Sequence, residues 1–221
     1  HPSTGGGSGH TAMPSGARVG VYTNNGAKGE ASTGGKAAAA ALASLGHAVT
    51  SLPSPVSSSA LSGLAAVVVP SQAQVYLPDS AAMRAYVQSG GCVLWHGLST
   101  SSFSADAFTM LGVAAADFRT AVPSSFEWHG RNWTMGSFVN GVGGKGVHVE
   151  VQQAAKLDPR WGTASTLAVD HRGIGALYVN HHGGGVGVLA TPGVELSLDP
   201  PALKEWLNGV LGLCTAARRP E

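Results

Sequence analysis

Residues able to do chemistry are concentrated in one stretch, His96-Gly97-Leu98-Ser99, followed by Ser101 and Ser102. A serine hydroxyl beside a histidine is the minimum equipment for acyl transfer, with the imidazole taking the hydroxyl proton. The nucleophile-elbow pattern G-x-S-x-G is not met, because Ser101 stands where its second glycine would be. The competing reading gives these hydroxyls to the cap of the following helix. Other candidates are weaker. Gly29–Lys36 (GEASTGGK) approaches a phosphate-binding loop, but Ala37 supplies no hydroxyl for magnesium after the lysine. His181 and His182 are adjacent, so in a strand they point to opposite faces and cannot share one metal. Trp128 and Trp133 flank a turn at Gly130-Arg131-Asn132, and read either as a cross-strand core pair or as walls of a pocket for a sugar or another planar ligand. No cofactor fingerprint or metal-ligand spacing is present, and neither group is expected.

These residues need a scaffold, and the flanking sequence predicts one. Arg18–Thr23 (RVGVYT), His47–Leu52, Leu64–Val69 (LAAVVV) and Cys92–His96 (CVLWH) read as strands. Lys36–Leu45 (KAAAAALASL) and the segment from Pro78 to Gln88 read as helices between them. Alternation of strand and helix predicts a parallel sheet with helices on both faces. Chemistry in such sheets sits at the carboxyl ends of strands, which is where Asn24-Asn25-Gly26 and His96–Ser99 fall. Phe126–Met135 reads as an added β-hairpin. Thr166–Asp170, Ala176–His181 and Gly187–Ala190 read as later strands, and Pro201–Leu213 as a closing amphipathic helix.

The composition narrows the class. Charged residues are 11% of the 221 and the net charge is +1, so nothing favours a nucleic-acid or anionic-membrane partner. No apolar run reaches the ~20 residues of a membrane span. Residues 1–16, rich in Gly, Ser and Pro, read as a flexible leader, 17–214 as one domain and 215–221 as a tail. The chain starts at His1 and shows no signal peptide, which fits a processed or extracytoplasmic form. Cys92 and Cys214 read first as two buried thiols, with a single disulfide as the alternative in an oxidising compartment.

Tyr86–Phe103 (YVQSGGCVLWHGLSTSSF) has a helix, a Gly-Gly break, a buried strand and a small-residue turn. Together with FVNGVGG at 138–144 and the segment Leu167–Ser197, it resembles the class I glutamine-amidotransferase-like superfamily. Within it the chain is similar to the biotin-protein-ligase N-terminal family and, more loosely, to the ThuA-like family. The resemblance covers about residues 17 to 213. It implies a three-layer α/β/α, flavodoxin-like fold with a mostly parallel sheet. It also implies where the machinery would stand. Gly97 occupies the place of the elbow cysteine, Gly193 that of the histidine, and Glu195 that of the acid. A carboxylate without thiolate and base cannot hydrolyse glutamine. The expectation is a catalytically degenerate domain with a binding or assembly role. The alternatives are a hydrolase using Ser99 with His96, or a carbohydrate-related role of ThuA-like kind. Its cleft would be formed by Asn24, Asn25, Gly26, His96, Gly97, Leu98, Ser99 and Glu195, and would suit a small polar ligand or a protein partner.

Overall fold

A computed structural model describes residues 11–24, 33–71, 73–99, 102–114, 125–135, 140–142, 145–147, 151–152, 158, 160, 164–173 and 175–216. The first half alternates as its sequence requires: β1 (Arg18–Tyr22), α1 (Thr33–Ser44), β2 (Ala48–Leu52), α2 (Ser58–Leu61), β3 (Ala66–Val69), α3 (Leu77–Gln88) and β4 (Cys92–His96). The alanine run of α1 carries the highest intrinsic helix propensity. In β3 and β4 every residue is buried, as expected of strands covered on both faces. Then follow β5 (Leu98–Ser99), α4 (Ala105–Leu111), the hairpin β6 (Ser125–Trp128) and β7 (Arg131–Thr134), and the short strands β8 (Asn140–Val142), β9 (Lys145–Val147) and β10 (Val151–Gln152). The chain closes with β11 (Ala164–Val169), β12 (Gly175–His182), β13 (Gly185–Ala190), α5 (Val194–Ser197) and α6 (Pro200–Ala216).

Seven strands form the main sheet in the order β11-β12-β13-β4-β3-β1-β2. β2, β1, β3, β4 and β13 are mutually parallel, while β12 runs antiparallel to both its neighbours. The order of the five parallel strands is that of doubly wound flavodoxin-like sheets. Alternate residues serve opposite faces. Val19, Val21, Val68, Leu94 and Val188 join the core built with α1 and α6. Val67, Val69, Val93, Trp95 and Leu189 join the one built with α3 and α4.

Four expectations change. First, the cysteines are not two thiols: Cys92 at the start of β4 is disulfide-bonded to Cys214 near the end of α6, with Cα atoms 5.5 Å apart. Second, the turn of the β6–β7 hairpin is His129-Gly130, both at positive φ, so Arg131 and Asn132 begin the returning strand. Two left-handed residues match the right-handed twist of a two-residue hairpin. Third, the chain leaving β4 does not enter a helix at once. Leu98 and Ser99 pair with Gln152 and Val151. The helix cap is Ser104, whose Oγ accepts from Ala107 N–H. Ser102 instead accepts from Val75 N–H at 3.1 Å. Fourth, the leader reading fails for 11–16, since Met13 is buried in the core and Gly16 N–H donates to Gly46 O. Residues 1–10 lie outside the described residues.

Candidate functional site

The carboxyl ends of β1, β3, β4 and β13 open on one mouth, because parallel strands share a polarity. Gly97 follows β4 with φ 72°, the left-handed region that only glycine enters freely. A side chain has no room there. A Cβ built on Gly97 would lie 2.2 Å from Pro192 Cβ and 2.7 Å from Pro192 Cα. Pro192, on the loop after β13, fills the space above the elbow.

His96, the last residue of β4, is fully buried. Its Nδ1 contacts Glu195 Oε1. Its Nε2 is met by the Trp206 indole N–H at 3.2 Å. An indole nitrogen can only donate. The Nε2 lone pair therefore accepts, and the ring proton sits on Nδ1, facing the carboxylate. The hydrogen bonds continue beyond Glu195. Ser71 Oγ–H donates to Glu195 Oε2 at 2.6 Å, and Ser71 N–H lies 3.3 Å from both carboxylate oxygens. Gly193 N–H donates to Ser71 Oγ at 2.8 Å. The cluster thus joins the loop after β3, the end of β4, the start of α5 and the middle of α6 around one buried negative charge. Burial pushes the Glu195 carboxyl up, but the hydrogen bonds from His96 and from Ser71 hold it below its ordinary value of 4.5.

This geometry decides what the expected residues can do. A general base for serine needs a free imidazole nitrogen aimed at the hydroxyl. His96 spends one nitrogen on Glu195 and the other on Trp206, so the Ser99–His96 pairing has no lone pair to use. Ser99 is described in its backbone alone. Leu98 is buried against the α3–α4 side. Asn24 is buried, its side-chain amide donating to Gln74 O at 2.9 Å, which ties the loops after β1 and β3 together. Asn25 and Gly26 lie outside the described residues. The arrangement brings His96, Gly97 and Glu195 together. It also recruits Ser71, Pro192 and Trp206, which were not anticipated at the site. The available signals were slight: Ser71 closes the buried run LAAVVVPS, and Trp206 stands on the apolar stripe of the last helix.

The hairpin packs over the same helix. Trp128 and Trp133 meet the Trp206 ring edge-to-face, with centroids 5.4 and 5.1 Å away. Phe126 does so at 6.0 Å. The Arg131 guanidinium lies 4.3 Å from the Trp133 ring centre and pairs with Glu205. Among the described residues no helix is long and apolar enough to cross a membrane, and no group of three His, Cys, Asp or Glu could hold a metal.

No known family profile matches this chain, and no curated protein does. Solved structures do match its fold. An exo-β-1,4-mannosidase from Opitutaceae bacterium strain TAV5 superposes with a TM-score of 0.64 at 16% identity, over 93% of this chain and 36% of that one. A β-galactosidase from Bacillus circulans sp. alkalophilus gives 0.57 at 16% identity, over 91% and 31%. The chain therefore spans about a third of these two enzymes. A ThuA-like protein from Bacteroides uniformis is matched nearly end to end, 94% of this chain and 95% of that one, with a TM-score of 0.54 at 9% identity. At such identities the likeness is one of fold.

Proposed function

We propose that this chain is a catalytically degenerate glutamine-amidotransferase-like domain, akin to the biotin-protein-ligase N-terminal and ThuA-like kinds, with a binding or assembly role linked to carbohydrate-active enzymes. One observation carries the loss of catalysis. Pro192 stands 2.2 Å from where a Gly97 side chain would begin, so the nucleophile's place is filled and not merely vacated. The His96–Glu195 pair supports it, since both nitrogens of the imidazole are engaged. The carbohydrate link is supported by two glycosidases that contain this fold within longer chains, and by the ThuA-like neighbour.

The test combines activity and mass. Purified protein should release no ammonia from glutamine and no nitrophenol from nitrophenyl acetate, mannoside or galactoside. Light scattering after gel filtration should show self-association, or binding to a glycosidase partner. Turnover that disappears in Ser99→Ala would replace this reading with the hydrolase.

A further inference from the structure

Away from the mouth, a pocket of about 200 Å³ opens between the β6–β7 hairpin and α6. Trp128 and Trp133 form its apolar wall, and His129, Arg131, Glu205 and Asn208 its polar rim. We propose that this pocket binds a single neutral pyranose unit. The ligand class rests on the carbohydrate-linked reading above; the place and the polarity rest on the pocket itself.

Size limits the occupant first, because drug-sized ligands occupy about 300 Å³ or more. Charge limits it next. Arg131 and Glu205 neutralise each other across the rim. A charged ligand would have to break that pair, whereas a neutral one uses what the pair leaves over. A guanidinium has five N–H donors and a carboxylate about four acceptor positions. A single ion pair saturates neither. The Asn208 amide adds a donor and an acceptor. Vicinal hydroxyls, each both donor and acceptor, match such a rim. The Arg131 guanidinium lies over the Trp133 ring, so the sugar's C–H face would meet the guanidinium plane and the indole edges that border the cavity.

One local cost goes into seating the wall of the pocket. His129, in the left-handed turn of the hairpin, lies edge-on to Trp128 with centroids 4.3 Å apart. Gly209 lies inside α6, where glycine weakens a helix by ~1 kcal/mol relative to alanine. A Cβ there would come within 2.9 Å of Trp128 Cζ3. The helix gives up stability so that the indole can seat.

Tryptophan fluorescence reads the site directly. Wild-type protein would be titrated with methyl α-mannopyranoside and methyl β-galactopyranoside, and with glucuronate as a charged control. A saturable change with at least one neutral pyranoside is expected, weakened at least tenfold in both Arg131→Ala and Asn208→Ala, with glucuronate inert. Thermal melts of both variants near wild type would show that they fold. No saturable change with either neutral pyranoside overturns the proposal. Equal binding by wild type and both variants also overturns it, but places the sugar elsewhere and leaves the carbohydrate-linked reading standing. That reading is judged separately, by the activity and mass measurements.

Discussion

The mouth of the sheet and the hairpin pocket are built from the same kinds of group, yet turn them in opposite directions. At the mouth, histidine, glutamate, serine and tryptophan face one another and none is left for a ligand. At the pocket, arginine, glutamate and asparagine stand on the rim of an open space. Trp206 belongs to both: its N–H closes the mouth while its ring carries the hairpin aromatics. The same kinds of side chain thus serve as core in one region and as an open rim in the other. If so, substitutions at the mouth should cost stability, and substitutions at the pocket should cost binding alone.

The largest effect is expected from Gly97→Leu. Left-handed backbone strain and overpacking against Pro192 each cost ~1–3 kcal/mol, so a loss of about 5 kcal/mol is expected. Urea unfolding or soluble yield measures it, and Pro192→Ala should recover part of the loss in Gly97→Cys. A wild-type-like Gly97→Leu protein would mean that the mouth is open. Reduction of Cys92–Cys214, which are 122 positions apart, should come next. Closing a loop of that length contributes roughly 5 kcal/mol through the unfolded state. Thermal melts with and without reductant read this, and the unfolded, unreduced chain should show no free thiol.

His96→Ala should cost about 3–4 kcal/mol, because it strips a buried carboxylate of its main partner. The pH dependence sharpens this. Glu195 titrates below its ordinary value of 4.5 in the fold, so the unfolded chain takes up the proton first as the solution is acidified. Its contribution should be complete above that ordinary value and fade as pH falls through the folded one. Glu195→Gln should flatten this acid limb of stability and lower the plateau at neutral pH. An unchanged limb would show that the charge lies elsewhere. The smallest effect belongs to the pocket. Arg131→Ala should cost under about 1 kcal/mol, as expected for a largely solvated ion pair. A loss as large as that of His96→Ala would erase the distinction between the two regions.

The parallel sheet was legible because strands covered on both faces must be apolar along their length, as AVVV and the CVLW of β4 are. α1 was legible from its alanines, although it starts three residues earlier than expected and ends one residue earlier. What stayed hidden was mostly distance. His96 and Glu195 are 99 positions apart, Ser71 and Glu195 124, and Trp206 and His96 110. No local pattern ties such residues together. Adjacency in sequence suggested Ser99 for His96, whereas the fold supplied Trp206. The cysteines mislead for the same reason, since only the packing of α6 against the sheet brings its end to the start of β4. The paired tryptophans were read as either core or pocket wall; both rings are buried against Trp206, and both border the cavity.

The disulfide has a mechanical consequence. α6 is the last helix of the fold described here, and a terminal helix is ordinarily the first element to peel away under tension. Cys214 lies near its end and is bonded to the head of β4, a strand with a parallel neighbour on each side. A pull applied beyond residue 214 bypasses the helix and enters the centre of the sheet at the amino end of β4. The helix becomes slack in a loop that force cannot open. In a single-molecule extension the oxidised protein should give a contour length shortened by the enclosed segment. After reduction, a small early step from release of α6 should precede the main event.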